Sequence, residues 1–340
     1  MIGGFTWSWN WGSFGLIKDN FKWGSGYNGN VIFSAKAPTF PFIYLKMNPA
    51  KWLEFNYIHG WLNSEVLDSL RTYSFNNGSR QVMHPKYLAA NFLSIKPCKP
   101  FLISIGNSIV YSDINIYPGY LIPVFFYKSI DHGIANSNLA GQNAQLYFDV
   151  NYFPIKKTKL YFSMFIDEIA FDRMFDKAKH SNFYSFKTGF KISNIASNFS
   201  LIVEYTRTNP VTYKHFIPTL TFQSNQFNIG YYLPDNSKDL FIKLVYQPLA
   251  KFKIGIDFLH AQVGTQYEYT GGSSIWGKPF LDKIIWKNTS ATVSAKYELI
   301  NDLYFYLSFT NSKITGAEKN TFTPQILQGN YFNSSVSYQF

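Results

Sequence analysis

The chain has 340 residues, of which 20% are aromatic (25 Tyr, 34 Phe and 8 Trp) and only 15% charged. A soluble domain usually carries about 25% charged residues, so an ordinary water-facing surface is excluded. A mean hydropathy of −0.12, with no uncharged apolar run of about 18 residues, argues against membrane helices. The net charge of +11 favours an anionic partner such as an acidic glycan, lipopolysaccharide phosphate or nucleic acid. The lysines are scattered singly, without a basic run or groove-filling helix, so no nucleic acid is expected. A single cysteine, Cys98, in the turn-like Lys96-Pro97-Cys98-Lys99, rules out an intrachain disulfide framework.

From the N-terminus, Met1-Ile2-Gly3-Gly4 has neither a basic n-region nor a cleavage site, and Trp7, Trp9 and Trp11 already alternate with polar or small residues. A two-residue alternation then recurs within 5–16 and near 29–36, 42–48, 52–61, 86–94 and 101–108. After a long connection at 109–144, Leu146, Phe148 and Val150 precede Leu160, Phe162, Met164 and Ile166 across a turn at 154–158. Phe186 and Phe190 precede Phe199, Leu201, Val203 and Tyr205 across 193–198. Leu240, Ile242, Leu244 and Tyr246 lead through 248–251 to Phe252, Ile254, Ile256 and Phe258. Ala291, Val293, Ala295, Tyr297 and Leu299 lead through 300–302 to Leu303, Phe305, Leu307 and Phe309. The final stretch, Phe332, Ser334, Val336, Tyr338 and Phe340, alternates to an aromatic terminus.

The connections give an independent test. Short ones near 154–158, 193–198, 223–226, 248–251 and 300–302 alternate with long ones near 168–182, 208–214, 234–238, 261–287 and 312–328. Short periplasmic turns and long extracellular loops mark outer-membrane barrels. A soluble sandwich or propeller also has many short strands, but it needs a charged outer face that this composition does not supply. The expected fold is therefore all-β: one transmembrane antiparallel up-and-down β-barrel domain over 1–340, in the bacterial outer membrane. Roughly eleven strands after residue 144 and six before it give an odd sum, so about 16–18 strands are expected. Because such a protein must be exported, the absent leader implies that the numbering starts inside a mature chain or that an N-terminal piece is missing. The C-terminal alternation resembles the signal read by the barrel-assembly machinery, making that machinery and outer-membrane lipid expected partners.

Two stretches stand out as candidate sites. In 18–45, Trp23-Gly24-Ser25-Gly26-Tyr27-Asn28-Gly29 offers glycines that permit positive φ and close backbone approach. Trp23 and Tyr27 could stack on a sugar ring, or the segment could be a tight turn with Trp23 at the membrane interface. The 261–287 loop carries Tyr267, Tyr269, Gly271, Gly272, Trp276, Lys278 and Trp286. Tyr and Trp faces can stack on pyranose rings and Lys278 could meet a uronate; equally, the tryptophans could anchor at the interface or pack the loop. Long loops without regular structure are usually functional.

Catalytic chemistry finds little support. Asp167 and Glu168 are adjacent in a strand and so point to opposite faces, which suits a rim hydrogen-bonding pair or a cation site better than the paired carboxylates of glycoside hydrolysis. Asp131-His132 lies in the 109–144 connection with no serine or cysteine motif to complete a triad. The histidines at 59, 84, 180, 215 and 260 lack metal-ligand spacing. No catalytic residue, metal or cofactor is expected. Lys187, Lys191, Glu204, Lys243, Lys253, Asp257, Lys296 and Glu298 fall on the lumenal face, as a solvated network or as the lining of an anion path.

The Trp23-Gly24-x-Gly26-x-x-Gly29 segment, leading into a strand that ends in Ser34 and then a proline-rich corner, resembles the Wzi-type capsule assembly proteins in their divergent Bacteroidetes form. Trp52-Leu53-Glu54-Phe55, His59-Gly60-Trp61-Leu62, Asn143 through Asp149, Phe165 through Ile169, and Glu204 through Pro210 with Tyr213 and His215 are similar to the same pattern. The resemblance implies a barrel that binds capsular or exopolysaccharide at the cell surface, as a lectin without turnover. It also implies residues before the Trp-Gly motif that are absent here. A porin-like channel for anionic or sugar solutes is the alternative; a hydrolase lacks a nucleophile–base motif.

Overall fold

Alternating β-branched and aromatic residues suit a pleated, half-buried surface, and they form most of the sheet in the computed structural model, described for residues 2–133, 141–196, 198–316 and 328–338. The strands are β1 (Gly3–Trp9), β2 (Gly12–Asp19), β3 (Phe40–Ala50), β4 (Leu53–Leu67) and β5 (Met83–Cys98). They continue as β6 (Phe101–Ser112), β7 (Asn143–Tyr152), β8 (Thr158–Glu168), β9 (Phe183–Ile195) and β10 (Phe199–Thr208). The series ends with β11 (Ser237–Leu249), β12 (Phe252–Gly264), β13 (Ile284–Ile300), β14 (Leu303–Gly316) and β15 (Gly329–Tyr338). All 15 lie in one sheet in chain order, each antiparallel to the next.

The barrel wall counts 15 strands among the described residues, against the 16–18 expected. The segment 29–36 is not a wall strand, 5–16 is a hairpin of two, and 215–222 and 227–233 belong to one long connection at 209–236. Phe227, Ile229, Tyr231 and Leu233 alternate like a strand, but the segment packs inside the barrel instead of pairing in its wall. Phe340 and residues 317–327 of the last long connection lie outside the described residues.

Register fixes which face meets lipid. Tyr205 pairs with Leu240, Ile242 with Phe258, Ile256 with Val293, and Phe309 with Phe332. The apolar positions of neighbouring strands therefore align as one outward band, and many of its side chains, including Ile105, Ile256, Val293 and Val336, are exposed. The two-residue hairpin at Asn301-Asp302, with Asp302 at φ 64°, is one of the short turns at one end. The long connections 20–39, 68–82, 113–142, 169–182, 209–236 and 265–283 share the other end, which is extracellular by the barrel rule.

One connection departs from that pattern. Residues 113–133, with a short helix α1 (Tyr127–Gly133), lie on the outward face of β4, β5 and β6. Tyr57 donates to the Tyr120 carbonyl at 3.0 Å, and Asn91 Nδ2 donates to the Pro123 and Phe125 carbonyls at 2.8 Å each. Asn107 Oδ1 accepts the Tyr127 amide at 2.9 Å, and buried His59 meets the Tyr111 hydroxyl at 2.7 Å. Asn91 and Asn107 face each other across β5 and β6 at mid-strand. The strap thus supplies the hydrogen bonds that hydrocarbon cannot, while its own outer side shows Leu121, Val124, Phe125 and Phe126.

Candidate functional site

The 20–39 connection turns into the barrel. Lys22–Trp23 and Phe33–Ser34 form a short ribbon, and Trp23 lies flat against Phe92 at 5.1 Å with Phe33 edge-on at 5.3 Å. Gly24 and Gly29 take positive φ of 111° and 79°, conformations that L side chains disfavour. The Gly26 amide donates to Asn30 Oδ1 at 2.6 Å, and a Cβ there would stand 2.2 Å from the Gly29 carbonyl oxygen. The glycine spacing is thus that of a compact turn. Trp23 is buried and available neither to a sugar nor to the membrane interface.

The wall holds this turn by its polar inner face. The Tyr27 and Asn28 amides donate to the two oxygens of Glu204, each at 2.7 Å. Glu204 also accepts from the Tyr161 hydroxyl at 2.5 Å and lies 3.4 Å from Lys187 Nζ, with both members of that ion pair fully buried. The Ser25 hydroxyl sits 2.8 Å from Asp149 and 2.7 Å from Asn151. The lumenal charges near the turn are therefore buried and engaged; Lys243 and Asp257 form a more open pair at 3.0 Å.

The 209–236 connection closes over the turn from above. Tyr213 donates to the Val31 carbonyl at 2.6 Å, and the Ser34 amide donates to the Ile229 carbonyl at 3.1 Å. Lys86 reaches the Thr221 carbonyl at 2.6 Å, and Asn143 the Leu220 carbonyl at 3.0 Å. Phe165 packs 4.7 Å from Tyr213 and 4.9 Å from Phe222. Tyr231 and Tyr232 both donate to Asp239, the second at 2.9 Å. A buried cluster of Trp23, Phe33, Phe92, Tyr147, Phe222 and their neighbours occupies the lumen at this level. Asp149, Phe165, Glu204 and Tyr213, which carry the family resemblance from distant parts of the sequence, converge here on the Trp-Gly segment.

On the extracellular side the 265–283 connection packs against 169–182 and the start of 209–236. Tyr267, Tyr269 and Trp276 gather around buried Phe183, Val211 and Ile275. Arg173 lies 4.1 Å over the Trp276 ring while donating to Glu168 at 3.0 Å and Ser181 at 2.9 Å. One face of Trp276 is therefore already covered. Lys278 stands 5.6 Å from the Tyr267 ring. Tyr269 meets Phe216 at 5.6 Å and His215 at 6.2 Å, and Phe216 is exposed, a rim residue that the sequence reading did not single out. Burial, then the neighbouring Asp282 carboxylate, pushes the Tyr267 phenol up to about 12, so it stays a hydrogen-bond donor. Trp286 is the exception. Strand β13 begins at Ile284, two residues before it, and its side chain is 1% exposed in the lumenal cluster.

The remaining candidates are dispersed. Asp131 is a buried residue of the outer strap, where its carboxylate accepts the Gln142 amide at 3.2 Å, while His132 at the end of α1 is exposed. Burial raises the Asp131 pKa. Asp167 and Glu168 end β8; Glu168 is committed to Arg173. Among the described residues no group of His, Cys, Asp or Glu could hold a metal ion, and no helix is long and apolar enough to cross a membrane.

A single antiparallel meander with an apolar outer band, short turns at one end and long connections at the other, two of them folded inward, defines an outer-membrane β-barrel of Gram-negative bacteria. The description "Capsule assembly protein Wzi" matches residues 2–315, and the chain belongs to that family. Among solved structures it is similar to Wzi of Escherichia coli, described as an outer-membrane protein involved in group 1 capsule assembly and a carbohydrate-binding β-barrel. That likeness has a TM-score of 0.61 at 9% identity and covers 92% of this chain and 74% of the other. OccK10 (OpdN) of Pseudomonas aeruginosa gives 0.53 at 8% identity over 98% of this chain and 82% of its own. OccAB2 of Acinetobacter baumannii gives 0.51 at 11% identity over 98% and 76%. At such identities the structural likeness establishes the fold alone. No curated protein matches the chain in sequence.

Proposed function

We propose that the chain acts as one barrel domain that binds capsular or exopolysaccharide at the cell surface and assists its assembly or attachment, without catalysis. The observation that carries this reading is the half-exposed group of Tyr267, Tyr269, Phe216 and Lys278 above a lumen filled by buried aromatic side chains. Flat rings with polar tips suit pyranose faces and hydroxyls, and Lys278 with the net charge of +11 suits an acidic polymer. Family membership and the carbohydrate binding described for the E. coli protein support it. Outer-membrane lipid surrounds the apolar band, and the C-terminal strand suits recognition by the barrel-assembly machinery. The test is deletion of the gene followed by measurement of cell-attached against released polysaccharide. Complementation with a Tyr267→Ala, Tyr269→Ala double variant should fail to restore attachment; unchanged retention in the deletion strain would sink the reading.

The porin-like alternative requires a continuous water path. Tight packing of the two inward connections speaks against it, and planar-bilayer conductance decides: a large, steady wild-type current would favour the channel.

A further inference from the structure

Register puts Arg207 on the outward face of β10, above Tyr205 and Val203. Its guanidinium stacks on Phe280 at 3.8 Å, and its Nε donates to Asn209 at 2.9 Å. Arg207, Phe280, Lys278, His180, Asn182 and Tyr184 help line a cleft of about 140 Å³ at the extracellular rim. Two features of this lining call for a ligand. Among the described residues neither Arg207 nor Lys278 forms an ion pair. Nδ1 of His180 and Oδ1 of Asn182 are buried without a hydrogen-bond partner among the described residues.

The wall below the cleft adds a second observation. Further down the same outward faces, Thr188 sits between Phe162 and Tyr205, and its short side chain leaves an apolar groove of about 420 Å³ that Phe190 and Val203 help line. Arg207 and Val203 lie four positions apart on the strand, a descent of about 13 Å. An anion-binding cleft at headgroup depth thus stands over a groove at acyl-chain depth. Guanidinium and ammonium groups match a phosphate, while the Asn182 and His180 side chains that help line the cleft bring polar groups suited to sugar hydroxyls.

We propose that this outer wall binds a phosphorylated glycolipid of the outer leaflet. Arg207 and Lys278 take the phosphate, Asn182 and His180 take sugar hydroxyls, and an acyl chain lies along the Thr188 groove. The test uses the full chain, extracted in detergent, stripped of lipid and free of polysaccharide, so that its outcome is independent of capsule binding. Binding of diphosphoryl lipid A, of its phosphate-free derivative and of water-soluble glucosamine 1-phosphate is measured by native mass spectrometry. The wild type should prefer the phosphorylated lipid by about tenfold or more, and an Arg207→Ala, Lys278→Ala double variant should lose that preference. Thr188→Trp should weaken both lipid forms. Folding is checked by the shift in gel mobility on boiling; if the double variant does not fold, Lys278→Ala alone and charge-retaining Arg207→Lys carry the comparison. Equal binding of the two lipids by the wild type, or an undiminished preference in folded variants, overturns the proposal. Glucosamine 1-phosphate binding as tightly as the lipid overturns the lipid as the source of the phosphate.

Discussion

Glu204 on β10 grips the amide of Tyr27 at 2.7 Å across 177 residues of sequence, so one carboxylate joins the barrel wall to the segment folded inside it. The same carboxylate faces buried Lys187. Glu204→Ala would remove the anchor and leave that ammonium without its counter-charge, and breaking a buried pair typically costs about 3–5 kcal/mol. The variant is expected to pass a larger and steadier current than wild type in planar bilayers. Equal currents would mean that the remaining contacts hold the turn unaided.

Inside the turn, size is constrained as tightly as charge. At Gly26 a Cβ meets the Gly29 oxygen and the Lys187 side chain, whereas at Gly3 nothing lies within 4 Å. Gly26→Ala should lower the temperature at which the barrel loses its unboiled gel mobility, and Gly3→Ala should leave it unmoved. Trp23→Ala, which empties the face of Phe92, belongs with the larger core truncations at about 3–5 kcal/mol.

Two tryptophans of similar appearance in the sequence should separate in experiment. Trp286 is enclosed in the lumenal cluster, so Trp286→Ala should destabilise the barrel by about 3–5 kcal/mol. Glycan-array signal from the folded fraction of that variant should be normal. Tyr267→Ala should do the reverse, losing glycan signal with a far smaller change in thermal stability than Trp286→Ala.

Acid should loosen the inner cap through His215. Burial lowers its pKa to about 4, and Nδ1 accepts the Ile217 amide at 3.1 Å, which requires the unprotonated ring. A folded-state pKa below the ordinary 6.5 means stability that is present above that value and is lost as pH falls through about 4. Asp235, raised to about 6 by burial, has the opposite sign: its contribution is full below the ordinary carboxylate pKa and is lost as pH rises through about 6. Hydrogen exchange at the Ile217 amide should accelerate from pH 6.5 toward 4 after correction for intrinsic rates. In His215→Gln that trend should vanish or reverse, and an unchanged slope would count against the imidazole.

The wall was readable from the sequence because lipid enforces a strict two-residue pattern. Leu240 through Phe258 and Ala291 through Phe309 pair as their alternation required. What folds inside the wall was not readable by the same signal. Ile229 and Tyr231 alternate as a strand does, yet Ile229 takes its hydrogen bond from Ser34, far away in sequence, and Tyr231 turns to Asp239 at the start of β11. The sequence places Trp286 in a loop because β12 and β13 extend further toward the cell surface than their apolar runs suggest. The glycines at 24, 26 and 29 marked a tight backbone correctly, while the choice between sugar, interface and core for Trp23 depended on Phe92, far away in sequence.

The strap over β4, β5 and β6 should itself face hydrocarbon. Val124 is 69% exposed on its outer side, and a lysine near the bilayer midplane of a barrel costs about 2–4 kcal/mol. Val124→Lys should reduce the yield of heat-resistant barrel, and Val124→Leu should not. A normal yield from the lysine variant would place the strap nearer water.

That strap also imposes an order of events on the nascent protein. Asn91 and Asn107 find carbonyl and amide partners in Pro123, Phe125 and Tyr127, all of which follow them in the chain. Until 113–133 has docked, Asn91 and Asn107 of the β5–β6 hairpin have only each other, at 2.8 Å, and the Asn91 Nδ2 and Asn107 Oδ1 groups that the strap satisfies face the acyl chains unpaired. Insertion of this sector is therefore expected to be coupled to closure of its outer cover, and a hairpin excised without its following connection would expose polar groups that the strap otherwise satisfies.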